Sequence, residues 1–149
     1  MQNKITPIIS AVSKISKKST NKIADIAKYK QYKKGELITL VGQKNNLEYF
    51  ITDGICKSFL STPDGEDITI SFFMSNAIIS PSTTRNKEGK SVINIQALTD
   101  VEVATLDATE FEKLMIEDLE IRDFGNSVLR NELMAKVQKE IALASLKIR

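Results

Sequence analysis

The stretch KKGELITLVGQKNNLEYFITDGICKSFLSTPDGEDITISFF, residues 33–73, decides the fold. Turn signals cut it into short apolar runs: Lys34-Gly35-Glu36, Gly42, Asp53-Gly54 and Pro63-Asp64-Gly65-Glu66. Asp-Gly between two apolar runs is the strongest short hairpin signal, because the turn needs positive φ at its centre. In Thr62-Pro63-Asp64-Gly65 the proline fixes φ early and the glycine takes the left-handed position late. Ile68-Thr69-Ile70-Ser71-Phe72 alternates with period two, which predicts one buried face and one wet face. Outward from there, Ser75 to Gly89 is a polar loop, long for a hairpin. Strand character resumes at Val92–Ala97, and Leu98-Thr99-Asp100 turns the chain into Val101–Leu106. Strands running from Lys33 to Asp107 with no helix inside argue a closed or two-sheet antiparallel barrel.

Helical patterns flank this region. Ile5, Ile8, Ile9, Val12 and Ile15 recur at steps of three and four, one face of a helix. Ser19 or Thr20 is placed to cap a second short helix whose Ile23, Ala24, Ile26 and Ala27 face inward. Lys14, Lys17 and Lys18 lie at the junction and read either as a solvated helix end or as an anion site. After the strands, Asp107 and Glu110 stand three apart before Phe111, Leu114 and Met115, a capping box that starts a helix. From Glu117 the pattern is helical almost to Arg149, with Gly125 its weak point. Met134, Val137, Ile141, Ala144 and Ile148 form a heptad seam, flanked by the polar Glu132, Lys136, Lys139 and Glu140. That seam needs cover from a partner helix, from the barrel, or from a segment outside this sequence. A symmetric dimer is the expectation. The organisation is therefore N-terminal helices over 1–30, a closed or two-sheet barrel domain over 31–107, and a short helix plus a long dimerisation helix over 108–149.

Composition narrows the chemistry. The 149 residues suit one domain, with 42% hydrophobic and 27% charged residues. A net charge of +2 supplies no field that would draw the whole molecule to nucleic acid or anionic lipid. No apolar run approaches the roughly 20 residues needed to span a bilayer, so no membrane partner is expected. The single cysteine, Cys56, allows no internal disulfide and no cysteine-ligated metal. It reads as a small filler or as a redox sensor, and the composition fits a reducing cytoplasm. The absence of histidine removes Ser-His and Cys-His nucleophile pairs and the imidazole ligands of barrel metalloenzymes. A cupin-like enzyme is disfavoured, and no catalytic or metal residues are assigned.

The pattern resembles the cyclic-nucleotide-binding sensor domain of the Crp/Fnr transcription regulators. The residues that carry the resemblance are Lys33-Lys34-Gly35-Glu36, Gly42, Tyr49-Phe50-Ile51, Gly54 with Lys57, Gly65-Glu66-Asp67, and Ile95 to Val103, followed by Phe111, Leu114 and the long helix. It covers nearly the whole chain and rests on order and spacing. It implies a mainly β domain with flanking helices: a double-stranded β-helix jelly roll followed by a long C-terminal dimerisation helix. In the family a helix-turn-helix domain usually follows. This sequence stops at Arg149, about where that domain would begin, so DNA is expected to be contacted only through such a domain.

Nucleotide-binding members carry a glycine-glutamate pair and, about ten residues on, an arginine followed by serine or threonine. The arginine neutralises the cyclic phosphate and the glutamate takes the ribose hydroxyl. Here the arginine-serine position falls on Ser91-Val92 or Lys90-Ser91, and the glutamate position on Pro81 or Ser80. A lysine is a point charge rather than a fork, and serine cannot supply a carboxylate's charge. Tight binding of cyclic AMP in the standard way is not expected, and no cofactor is assigned. Ser80, Ser82, Thr83, Thr84, Arg85, Lys90 and Ser91 are the candidate ligand residues, offering hydroxyls and two cations to a small polar or anionic ligand. The functional expectation is a ligand-sensing regulatory domain of a Crp/Fnr-like regulator. The competing expectation is a stand-alone dimeric scaffold with no small-molecule ligand.

Overall fold

The computed structural model describes residues 4–79 and 85–148, the side chains of 147 and 148 excepted. Two helices, α1 (Thr6–Val12) and α2 (Lys17–Ile26), precede eight strands. These are β1 (Lys28–Tyr32), β2 (Leu37–Thr39), β3 (Leu47–Asp53), β4 (Cys56–Ser61), β5 (Asp67–Phe73), β6 (Ile78–Ile79), β7 (Asn94–Ala97) and β8 (Val101–Asp107). Helices α3 (Ala108–Glu117) and α4 (Leu119–Ile148) follow. The strands form two four-stranded antiparallel sheets, ordered β1-β8-β3-β6 and β2-β7-β4-β5. This is a jelly-roll sandwich with flanking helices and a long C-terminal helix, as the family resemblance implies.

The centre of the first sheet, β3 and β8, is buried on both faces, while β1 at its edge is exposed. Along β3, Tyr49 and Ile51 point into the inter-sheet core with Val101, Val103, Ile95 and Cys56. Phe50 points the other way, into a second core made with Ala104, Leu106 and the helices. There its ring meets Phe124 of α4 edge-on, with 6.3 Å between centroids, and Phe124 meets Phe111 of α3 at the same spacing. Aromatic pairs of this kind contribute about 0.5–1.5 kcal/mol beyond their buried area. The strand period thus allots alternate residues to two cores, and the second core fixes the helices to the sheet.

Several local expectations need correction. The cap of α2 is Ser16, whose Oγ accepts from the Ser19 N–H at 3.2 Å; Ser19 and Thr20 lie inside the helix. α1 ends at Val12, so Ile15 packs on the core from the connector. Asp53-Gly54 does not close a hairpin, because β3 pairs with β8 and β6 while β4 pairs with β5 and β7. It is a corner that passes the chain from one sheet to the other. Pro63-Asp64-Gly65 does close a hairpin, between β4 and β5. The alternation in β5 buries neither face: Ile68 is 57% and Phe72 62% exposed, and Thr69 is exposed as well. β5 is the edge strand of its sheet, with one neighbour to shelter it. The polar loop contains one strand the alternation rule did not mark, β6, which pairs Ile78 with Phe50 and Ile79 with Tyr49. No helix among the described residues is long and apolar enough to cross a membrane.

Candidate functional site

Helix α4 has two faces. Ile121, Phe124, Val128, Glu132, Ala135 and Lys139 step by three and four, so they share one side of the helix. The first three of these are buried in the helical core. The last three continue beyond it and face the open edge of the sandwich. They form one wall of a cleft of about 360 Å³, completed by Lys136. The other walls are Ile70, Ser71 and Phe73 of β5 and Ile78 and Ile79 of β6. Lys139 Nζ donates to the Ile70 carbonyl at 3.0 Å, which ties the far end of the helix to the edge strand. The cleft therefore offers apolar walls, one carboxylate and two ammonium groups, a set suited to a polar or anionic guest with an apolar part.

The opposite side of α4 carries Met134, Val137, Ile141 and Ala144. Met134 is 50% and Ile141 60% exposed, uncovered by any of the described residues. The side chain of Ile148 lies outside the described residues. The expected seam is thus turned away from its own sandwich.

The candidate ligand residues disperse. Ser80, Ser82, Thr83 and Thr84 lie outside the described residues. Arg85 and Ser91 are bridged through their backbones, but their side chains line different cavities. Arg85 Nη1 donates to the Asn45 carbonyl at 3.0 Å and to Asn46 Oδ1 at 3.2 Å. Ser91 is buried and donates to the Ile93 carbonyl at 2.6 Å, beside a separate cleft that includes Lys30, Thr39, Lys44 and Tyr49. Lys90 Nζ lies 3.9 Å from Glu88 at the surface. Sequence reasoning assigned Glu132, Lys136 and Lys139 to wet helix flanks. Their spacing matches that of the buried residues ahead of them, the one signal that could have placed them on the inward face.

The electrostatics of the first sheet centre on Glu48. Burial, with the Glu132 carboxylate adding to it and the Arg85 guanidinium opposing both, pushes its carboxyl up to about 7. Desolvation also lifts the Tyr49 phenol to about 12, although its oxygen accepts from Asn45 Nδ2 at 2.9 Å. Neither group titrates as it would in water.

Comparison with known proteins supplies context for this geometry. The family model described as "Cyclic nucleotide-binding domain" matches residues 29–118, from β1 through α3. Solved structures share the fold at low identity. A cyclic nucleotide-binding domain from Methylobacillus flagellatus superposes with a TM-score of 0.80 at 14% identity, covering 97% of this chain and 82% of that one. The catabolite activator protein of Thermus thermophilus gives 0.73 at 16% identity over 94% of this chain, which spans 63% of that protein. The sensor domain of the transcriptional regulator DNR from Pseudomonas aeruginosa gives 0.69 at 13% identity, covering 95% and 87%. No functionally curated protein matches the sequence.

Proposed function

Because the chain belongs to the cyclic nucleotide-binding domain family, we propose that it is a ligand-sensing regulatory domain of the Crp/Fnr type, with no catalytic role of its own. In this reading a small polar or anionic ligand enters the cleft between β5, β6 and α4 and biases the position of α4. One observation carries it. The helix that presents Lys136 and Lys139 to the cleft presents an uncovered apolar seam on its other side. A guest held by those ammonium groups acts on the helix that bears the seam, and a ligand shifts such an element only as far as it binds one position better than the other. The seam, Met134, Val137, Ile141 and Ala144, is the surface for a second copy, and homodimerisation through it gives the signal its output.

The ligand in this proposal is not cyclic AMP held in the standard way. The arginine position is filled by Ser91 or Lys90 and the glutamate position by Pro81 or Ser80. The Ser91 hydroxyl is engaged by the Ile93 carbonyl. Cationic recognition falls instead to lysines on α4.

Two measurements test this reading. Sedimentation of the parent should give a dimer, and V137E/I141E should give a monomer that keeps its fold. Calorimetry against cyclic nucleotides and small anions should find one saturable ligand whose binding is lost in K136A/K139A. A dimeric V137E/I141E would remove the seam from the proposal. A scaffold without a ligand is favoured by one contact, the bond of Lys139 to Ile70, which satisfies part of the cleft internally. Absence of heat with every anion, beside an intact dimer, would select that second reading.

A further inference from the structure

A different cavity lies on the other face of the first sheet, where α3 bends into α4. Its volume is about 220 Å³. That is below the roughly 300 Å³ at which drug-sized pockets begin, and suits a molecule of amino-acid size. The floor is apolar: Phe50 of β3, Phe111 and Met115 of α3, and Phe124 and Val128 of α4. The rim is polar and carries both signs of charge, with Glu48, Arg85 and the exposed Glu112 facing the same space beside Asn46 and Thr109.

Glu48 and Arg85 act on each other only at a distance, the guanidinium lowering the carboxyl's pKa against its burial. No ion pair joins Glu48 to Arg85 among the described residues. Arg85 commits one nitrogen, Nη1, to the carbonyl of Asn45 and the side chain of Asn46. Among the described residues its other nitrogens take no partner, and they form a planar fork matched to a carboxylate. Glu48 sits in a largely desolvated position, where an unpaired carboxylate is costly and a cation beside it would restore the lost interaction. Opposite charges held apart at the mouth of an apolar cavity match a molecule that carries both charges on one carbon and an apolar substituent beyond it.

We infer that the cavity at the α3–α4 elbow binds a small zwitterion with an apolar side chain, of the class of free apolar α-amino acids. The ammonium faces Glu48, the carboxylate faces the free edge of Arg85, and the side chain enters the ring of Phe50, Phe111 and Phe124. This site is separate from the cleft of the proposed function and shares neither Lys136 nor Lys139 with it.

The test is a titration of the full chain followed by the methyl resonances of Met115 and Ala108, both of which line the cavity. The probes are L-leucine, 4-methylpentanoate, which lacks the amine, and 3-methylbutylamine, which lacks the carboxylate. L-leucine should give saturable shifts, and each one-headed analogue should bind about tenfold more weakly, the cost of one charge-assisted contact. Glu48→Gln should weaken L-leucine and leave 4-methylpentanoate unchanged, while Arg85→Gln should weaken L-leucine and leave 3-methylbutylamine unchanged. Glu48→Gln removes a buried charge, so it keeps the test decisive if Arg85→Gln fails to fold. K136A/K139A should leave the titration unaltered, which separates this site from the cleft. No saturable shift up to about 10 mM L-leucine, beyond the millimolar range of weak binding, would overturn the inference. So would equal binding of the three probes.

Discussion

Ser19 Oγ donates a hydrogen bond of 2.7 Å to a carboxylate oxygen of Asp118, joining two residues 99 positions apart. Asp118 also accepts from the Glu120 N–H at 2.9 Å and the Ile121 N–H at 3.3 Å, which caps the start of α4, and Lys22 Nζ completes its shell at 3.2 Å. Beside it, Glu120 accepts from the Ser16 N–H at 2.8 Å. Helix α2 thereby clasps the joint at which α3 turns into α4.

Replacing Ser19 with alanine should cost about 1–2 kcal/mol, the scale of a hydrogen bond to an ionised group whose three other donors stay in place. The hydroxyl is the leading reason that Asp118 titrates below its ordinary 3.8. A depressed carboxyl stabilises the fold above its unfolded pKa, and that stability is lost as pH falls through the folded value. Urea denaturation should therefore show a gap between parent and Ser19→Ala at pH 7 that closes well below pH 3.8. A gap independent of pH would assign the loss to packing.

Glu48 gives the opposite pH dependence. Its folded pKa of about 7 lies above the ordinary 4.5, so the folded state holds a proton that the unfolded chain has released. Stability contributed by this group is complete below about 4.5 and falls as pH rises through about 7. The charged groups that face it are Glu132 and Arg85. Glu48→Gln should remove a loss of about 3 kcal/mol between those limits, at 1.36 kcal/mol per unit. Thermal melts of the two proteins from pH 4 to 8 should converge at the acid end and separate toward pH 8, with the glutamine variant the more stable.

Two glycines with similar backbones should respond differently to alanine. Gly54 has φ of 100°, and a Cβ there would collide with the Asp100 carbonyl and come within 2.9 Å of Val101 Cγ2. Gly65 has φ of 86° with nothing within 4 Å. Gly65→Ala should cost about 1 kcal/mol for the left-handed backbone alone, and Gly54→Ala about 3 kcal/mol or more. Equal midpoints in denaturant would show that the corner yields.

Cys56 is fully buried in the inter-sheet core, and burial pushes its thiol up to about 11. The thiolate is the reactive form, so an aromatic disulfide reagent should modify native protein at pH 8 orders of magnitude more slowly than unfolded protein. Rapid labelling of the native chain would require that the core open readily.

Much of the fold was legible in the sequence, and the failures share one cause. Pro63-Asp64-Gly65 and the Asp107 cap act locally; the Asp107 carboxylate accepts from the Glu110 N–H at 2.9 Å, as the spacing requires. Asp53-Gly54 states that a tight turn occurs but not which strands meet after it. The partners of β3, and the β7 partner of β4, lie far along the chain, and the corner is held by the Thr99 Oγ1 that receives the Ile55 N–H at 3.0 Å. Ser16 was masked as a cap because Lys17 and Lys18 follow it, and cations are unfavourable in a first turn. The cleft was hidden for the same reason as the corner. Lys136 and Lys139 read as a solvated flank until β5, some seventy positions earlier, is laid beside them. Glu48 gave no local sign, since its desolvation comes from helices that the strand pattern does not mention.

The bond from Lys139 to the Ile70 carbonyl has a consequence for handling the molecule. Ile70 lies in an outermost strand, whose free acceptors invite another chain to extend the sheet. The ammonium occupies one of them and places a charge at the middle of a strand whose Ile68 and Phe72 are exposed. The tail of the rod is in this sense a guard rail. Cut back ahead of residue 139, the protein would present an unprotected, sticky margin and should self-associate at concentrations where the intact chain stays dispersed.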